Sequence, residues 1–557
     1  MFRFCIECLR EAPRDSQSHL PYMIVPVAAS CWSNRLMLET PPSDGNHKAS
    51  REDRDVSSSP PKAKAGTKVI LVAVFFLASG VMSLYKPFTQ AEAGDPALYD
   101  YMAQCIVRGE VPYRDVVDGK APGSLYLSAV AMAAAKAIGF RDILGVRLMN
   151  VLLMGLLATS IFAVTEIYFR DRIAALIAVL VPLMSTRLSL LMIGGTQPKL
   201  ATVLFGIVTL LLIAKDRPML AGVCSMLSCL CWQPGLLFTG VAFLMFSRYL
   251  TSWRDLRALK VALGAAIPLA ALLLYFYSRG ALDDLWSWTI TFNYSTYAPK
   301  LVRSFGDSVA HLWDMTTDVF RGDVVLIIMS VAGAALFAWE RIRIKLRTNE
   351  WWSSPELFRD AILIPPVVYL AFTLISLQGP DDLIPFLPFA GIFAGVFISK
   401  IPALSALRRF RWVELVPIGA VVILLFLLFT RAVSYKNQPG STLHDQEREF
   451  AIVGQLLGPN DEIYAHRGSE LLVLLNRRNL NKYVLLDRGK DDYINATMPG
   501  GFKAVLDEME SRAPKIVSIS HLGQVSRRDE LRQWVEKHYD RLPMNSDYDH
   551  VYIRRSQ

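Results

Sequence analysis

Charged side chains are scarce: Asp, Glu, Lys and Arg make up 20% of the 557 residues, against 52% hydrophobic ones. With a mean hydropathy of +0.31, that balance excludes an ordinary soluble protein of this length and implies a membrane protein. Nucleotide and hydrolase signatures are missing too. The chain holds no Walker A, GxGxxG, HExxH or GxSxG pattern, so ATP hydrolysis, dinucleotide chemistry and the common hydrolase routes have no support. Cysteines are few: Cys5, Cys8 and Cys31 near the N-terminus, Cys105, and Cys224, Cys229 and Cys231 in one apolar segment. None has a zinc-like spacing with histidine, no disulfide framework is implied, and the Cys5/Cys8 CxxC lacks the βαβ surroundings of a redox motif. The formal charge of +9 reads as the basic loops of a polytopic protein and not as a nucleic-acid partner.

Apolar runs supply the architecture. Residues 1–66 are rich in Ser, Pro, Asp and Arg without a sustained period, the pattern of a disordered tail. Its short apolar pieces, broken by Glu7, Arg10, Glu11 and Asp15, do not form a signal peptide. The basic Lys62, Lys64 and Lys68 place that tail in the cytoplasm ahead of a first span at 68–86. Further spans are expected near 146–169, 173–191, 199–214, 218–232, 235–250, 259–278, 323–339, 360–377, 384–401 and 413–433. With 123–140 lying along the membrane surface, the clusters at Arg170/Arg172, Arg254/Arg257, Arg341–Arg347 and Arg408–Arg411 all fall inside, as the positive-inside rule prefers. The fold class is therefore a polytopic α-helical membrane protein of about 11 transmembrane helices. From 434 to 557 helices alternate with short runs such as EIYAH, KYVLL, KIVSIS and HVYIRR, which predicts a small α/β domain outside the membrane. The transmembrane core is 67–433, with its first outer loop at 86–145.

That loop, GDPALYDYMAQCIVRGEVPYRDVVDGKAPGSLYL at its centre, concentrates Glu92, Asp95, Asp100, Asp115, Asp118 and Lys120. Asp95 at the aqueous edge of a protein cavity suits a general base on an acceptor hydroxyl. Followed by Pro96, it also suits a helix N-cap, and the two roles are compatible. Lys120, held in a DGKAPG turn by Gly119 and Pro122, is a point charge for a phosphate or a snorkelling interfacial lysine. Gln197 and Lys199 in GGTQPKLAT combine a structural turn with a polar group for a sugar or acceptor. The outer loop 279–322 carries Trp286, Trp288, Phe292, Tyr294 and Tyr297 followed by Lys300 and Arg303, either an aromatic belt or the roof of a cavity holding a prenyl phosphate. Asn293 and Asn495 open glycosylation sequons, and His466, Arg467 and Glu470 follow a strand, where α/β folds bind ligands and where ordinary helix-start polarity more simply accounts for them.

The first outer loop resembles that of the glycosyltransferase C superfamily, in particular the bacterial relatives of protein O-mannosyltransferases and of the lipid A aminoarabinose transferase. Asp95, Tyr99, Gly109 and Lys120 with Pro122 occupy the positions of that family's acid, tyrosine, helix-end glycine and lysine turn. The order of the surface helix, the turn near Gln197, the aromatic loop, the proline-rich late span IPFLPFAG and the external α/β tail is similar as well. Two positions depart: Pro96 replaces a second acid, and Gln197 stands where relatives often carry Asp or Glu, the positions on which an acid-pair or metal form of the mechanism would rest. The resemblance implies an inverting transfer of a sugar from a polyprenyl-phosphate donor to a glycan, lipid or protein hydroxyl at the outer face of the cell membrane. Asp95 would be the base, Lys120, Lys300 and Arg303 the phosphate-binding groups, and Glu92, Tyr99, Tyr113 and Gln197 substrate-binding. No cofactor follows, and a divalent metal is left open. A lipid-linked glycan transporter and a non-catalytic assembly subunit are the competing classes, although the spans are nearly free of the charges that would line a transport path.

Overall fold

The computed structural model describes residues 65–247, 255–301, 303–348, 357–403, 411–437, 442–544 and 550–555. The expected tail, with Cys5, Cys8 and Cys31, lies outside them. Seven helices are long and apolar enough to cross a membrane, or eight if one bent pair counts as a span. Every expected span falls on a helix of this set or on one of three shorter apolar helices, so reaching eleven requires those three. The chain is a multi-pass membrane protein.

The first helix, α1 (Ala65–Leu84), leads into the outer loop. There α2 (Gly94–Val107) and α3 (Gly123–Ala137) pack on each other before α4 (Asp142–Phe169) returns through the core. At 15 residues, α3 is about 22 Å long, short of the ~30 Å hydrocarbon core. The expected single span at 173–191 is broken. It consists of α5 (Arg172–Met184) and α6 (Thr186–Ile193), bent by 76°. Pro182 lies inside α5 and lacks the N–H that would continue the ladder, so the helix ends at an extended Ser185. Next come α7 (Pro198–Ala214) and, late in the chain, α8 (Leu387–Lys400). On α8, Gly391 and Gly395 lie against the backbone of Ala178 and Ala174 of α5, where an added Cβ would collide with a carbonyl. Small residues at i and i+4 give membrane helices the close approach that lipid alone does not drive.

The C-terminal part builds a four-stranded sheet in the order β1-β2-β4-β3. Its strands are β1 (Ile463–His466), β2 (Ile516–Ile519), β3 (Tyr539–Arg541) and β4 (Val551–Arg554). Strands β1 and β2 are parallel, and the other pairs are antiparallel. KYVLL is not a strand. It runs beside β1 but bonds to it at isolated points, Arg467 N–H to Val484 O at 3.1 Å and Leu486 N–H to His466 Nδ1 at 3.1 Å. A histidine side chain takes the place of a ladder carbonyl. The helix Leu443–Leu456 before the sheet opens on a capping box of Thr442 and Asp445.

This domain is bonded to the outer loop. Val117 N–H donates to Lys482 O at 3.0 Å, Asn479 N–H to Tyr101 Oη at 2.8 Å, and Gln104 Nε2 to Val473 O at 3.3 Å. The long outer loop joins the same contact. Trp288 and Phe292 are buried and pack edge-on against Tyr493, so these two aromatics dock the domain and do not form an interfacial belt; Trp286 and Tyr294 remain exposed.

Candidate active site

Asp95 sits in the first turn of α2, but it does not cap it. The helix starts one residue earlier, after an extended Ala93 that offers no side-chain cap. The capping role expected of Asp95 is thus not used, and its carboxylate turns elsewhere. The backbone before it is strapped in place. Arg147 of α4, fully buried, donates to Pro87 O at 2.8 Å and Gln90 O at 2.5 Å and ion-pairs with Glu92 at 2.5 Å. Gln446 of the C-terminal domain exchanges two 2.8 Å bonds with the Glu92 backbone. Nearly two turns into α2, Asp100 accepts from Thr196 N–H at 3.0 Å and from its hydroxyl at 2.5 Å. Burial, then the neighbouring Glu92, push the Asp100 carboxyl well up.

Opposite Asp95 stands Lys120, 3.7 Å away, with its ammonium donating to the Tyr99 hydroxyl and lying 4.6 Å from the ring centroid. The Lys120 turn is fixed from all sides. Its carbonyl accepts from Tyr113 Oη at 2.6 Å, its N–H donates to Asp118 at 3.2 Å, and the Gly119 carbonyl accepts from Asn293 at 2.6 Å and Gln233 at 2.8 Å. Gly119 packs closely here: a Cβ would stand 3.1 Å from the Phe292 ring, which would have to give by a few tenths of an ångström. Tyr113, a non-glycine residue at φ +69°, is fully buried. It shapes the turn from behind.

The C-terminal domain adds two arginines. Arg467, just past β1, approaches Asp95 at 4.0 Å and is held by the buried Asp487 at 2.7 Å. Arg488 donates to Gln378, which donates in turn to Tyr297. Both arginines have φ +55°, a left-handed conformation that costs backbone energy and gathers at functional sites. Lys490 reaches Asp118 at 3.6 Å and ties the arginine loop to the Lys120 turn. Burial pushes the Asp95 carboxyl up, but Lys120, then Arg488, Arg467 and Lys199, outweigh it and hold it down at about 2.

Asp95 forms part of the wall between two cavities. One, of about 530 Å³, is lined by Gln197, Asp381, Arg187 and Arg488 with Leu190 and Leu191. The other, of about 390 Å³, is lined by residues of the C-terminal domain, among them Arg467, Ser469, Glu470, His521 and His550. Gln197 accepts from the Lys199 N–H at the start of α7 and faces the first cavity. Lys199 is buried and pairs with Asp381 and, at 2.7 Å, with Asp382. Glu92 lines the second cavity, but one of its oxygens is committed to Arg147. Lys300 and Arg303 are not brought to Asp95: Lys300 pairs with Asp492, and Arg303 donates to Leu377 O at 3.2 Å. Lys490, Arg488, Asp381 and the bonding of Asn293 escaped the sequence reading. Only the Arg-Gly step after an apolar run hinted at Arg488. Asn293, bonded to the Gly119 and Thr289 carbonyls, is a structural residue despite its sequon. Among the described residues no three His, Cys, Asp or Glu side chains gather to hold a metal ion. The charged groups within 4.0 Å of the Asp95 carboxylate are the cations Lys120 and Arg467.

No protein-family profile and no curated protein sequence matches the chain. Solved structures do. ArnT from Cupriavidus metallidurans bound to undecaprenyl phosphate matches at 14% identity with a TM-score of 0.57, over 88% of this chain and 98% of that one. The same protein in the apo state gives 12% identity and a TM-score of 0.59, over 88% and 97%. The chain has the fold of these ArnT structures. In this fold the outer loop, the aromatic loop and the α/β domain converge on Asp95.

Proposed function

We propose that this protein is a membrane glycosyltransferase that moves a sugar from a polyprenyl-phosphate donor to an acceptor hydroxyl. One observation carries the reading: an uncapped, ionised Asp95 stands where two cavities meet, faced by Lys120, Arg467 and Arg488. The solved structure of ArnT with undecaprenyl phosphate supports a lipid phosphate as the donor's carrier. In the reaction the bond from the anomeric carbon to the phosphate oxygen breaks while the acceptor oxygen attacks from the opposite face, so configuration inverts. The acceptor's proton passes to Asp95, and the polyprenyl phosphate leaves with its added charge facing Lys120 and Arg488. Fixed cations where charge develops are the strongest catalytic device available to such a site. A carboxylate held near 2 is a weak base, but a phosphate that draws Lys120 and Arg488 to itself raises Asp95 at the moment of need.

The positive-inside rule supports a cytoplasmic side for residues 1–66 and the basic loop clusters and the outer side of the cell membrane for the α/β domain. The test is transfer of labelled sugar from a panel of undecaprenyl-phosphate sugars by the purified protein in lipid, with host membrane extract as acceptor. Transfer is expected, and Asp95→Asn should reduce it at least ~100-fold. An active Asp95→Asn protein would refute the assignment of the base. Absence of product from every donor, with the wild-type protein folded, would favour a transporter or a non-catalytic subunit.

A further inference from the structure

The second cavity opens at the carboxyl ends of the two parallel strands. Strand β1 delivers Arg467, then Ser469 and Glu470; strand β2 delivers Ser520 and His521; and His550 precedes β4. In open α/β sheets ligands bind outside the carboxyl ends of the strands. Here that crevice faces Asp95 of the membrane core. Two buried polar groups in it lack partners among the described residues. Glu470 is 7% exposed and Ser469 1% exposed, yet Glu470 Oε2 and Ser469 Oγ make no hydrogen bond, while Glu470 Oε1 stands 3.3 Å from His550 Nε2. Buried polar groups in native proteins are otherwise paired, so this pair points to a ligand or water that completes it.

The lining also says which chemistry fits. Three carboxylates face this cavity, Glu92 paired with Arg147, Asp95 3.7 Å from Lys120 and Glu470 with one oxygen unbonded, together with one arginine already bonded to Asp487. An anion placed against the unbonded Glu470 oxygen would be repelled. Hydroxyl donors would be welcomed by the carboxylate, imidazole and hydroxyl acceptors. The volume of about 390 Å³ lies in the range of small-molecule pockets. We infer that the cavity between Asp95 and the ends of β1 and β2 is the acceptor subsite, and that it takes a neutral saccharide through Glu470, with Ser469 and His550 beside it. The assignment rests on the transferase reading and divides the two cavities: lipid phosphate on the side of Lys120 and Arg488, acceptor sugar on the side of the α/β domain.

Saturation-transfer difference NMR on the full-length protein in nanodiscs tests this without turnover. The probes are methyl α-D-mannopyranoside, methyl β-D-glucopyranoside, methyl β-D-galactopyranoside and methyl α-D-arabinofuranoside. At least one should receive saturation from the wild-type protein, and Glu470→Gln or His550→Gln should weaken that signal at least ~5-fold. Undecaprenyl phosphate binding, measured on the same samples, should be unchanged in both variants, which also reports that they are folded. No signal from any glycoside, or an undiminished signal in both variants, overturns the acceptor subsite. Wild-type protein that binds no undecaprenyl phosphate, or binds it no better than Lys120→Met does, would instead overturn the donor reading.

Discussion

Asp95 and a donor phosphate would compete for the same cations, and this gives a prediction whose sign is unusual. Replacing the proposed catalytic base should tighten binding of the donor's carrier lipid. The Lys120 ammonium stands 3.7 Å from the Asp95 carboxylate, with side chains 23% and 31% exposed. Opposite charges near that distance attract by about 1 kcal/mol in bulk water and about 4 kcal/mol at an effective dielectric constant of about 20. The partial exposure and salt screening bring the usable part to ~1–2 kcal/mol. A phosphate held by Lys120 experiences the Asp95 charge as a repulsion of similar size. Asp95→Asn should therefore lower the Kd for undecaprenyl phosphate about 5- to 30-fold, and Lys120→Met should raise it by a similar factor. In a double-mutant cycle the gain from Asp95→Asn should shrink when Lys120 is already Met. The assay is equilibrium binding of undecaprenyl phosphate to purified protein in nanodiscs, with thermal unfolding as a control for folding. The Asp95 carboxyl is held at about 2, below its ordinary value of ~3.9. In the lipid-free protein its charge is lost only as pH falls through about 2, so the comparison of Asp95 with Asn belongs well above about pH 6, where the phosphate monoester is also fully ionised. A folded Asp95→Asn protein that binds undecaprenyl phosphate no better than the wild type would refute the competition.

Two further predictions concern the frame of the site. Glu92 and Arg147 form a fully buried pair at 2.5 Å, so Glu92→Gln or Arg147→Met alone should cost about 3–5 kcal/mol by leaving the partner charge unmatched; joint replacement should recover part of it in thermal unfolding, and a neutral single variant would contradict the pairing. Burial, with help from Arg467, Lys490 and His521 and against Asp487, lowers His466 to about 4, whereas the unfolded chain titrates near ~6.5; stability should be present above that value and fall as pH drops towards about 4. His466→Asn, whose amide oxygen can accept the Leu486 N–H, should flatten that slope in thermal unfolding between pH 7 and pH 4.5.

How much of this was legible beforehand can be followed residue by residue. Apolar length marks the spans, and the turn chemistry of Gly119 and Pro122 marks Lys120 as fixed. Asp95 and Lys120 stood out because both lie in one polar loop between apolar runs. Of their partner arginines, Arg467 was marked only by its place after a strand and Arg488 not at all, since both lie more than 300 residues further along the chain and nothing local ties either to Asp95. The N-cap reading of Asp95 failed because helix ends are decided by backbone geometry at Ala93 and Gly94, which sequence rules place only to within a residue or two. KYVLL carries strand propensity, but its neighbour bonds it through a side chain, a tertiary choice that overrides propensity.

By itself the sequence determined the membrane class, the positions of most spans, the polar loop between them and the α/β character of the tail, because hydrophobic length and period are local properties of the chain. Only the tertiary structure decided that α5 and α6 part at Ser185, that Trp288 and Phe292 leave the interface to dock the α/β domain, and that Asp95 stands among Lys120, Arg467 and Arg488 between two cavities. A carboxylate's chemistry depends on the charges within a few ångströms of it, and folding brings those charges from opposite ends of the chain.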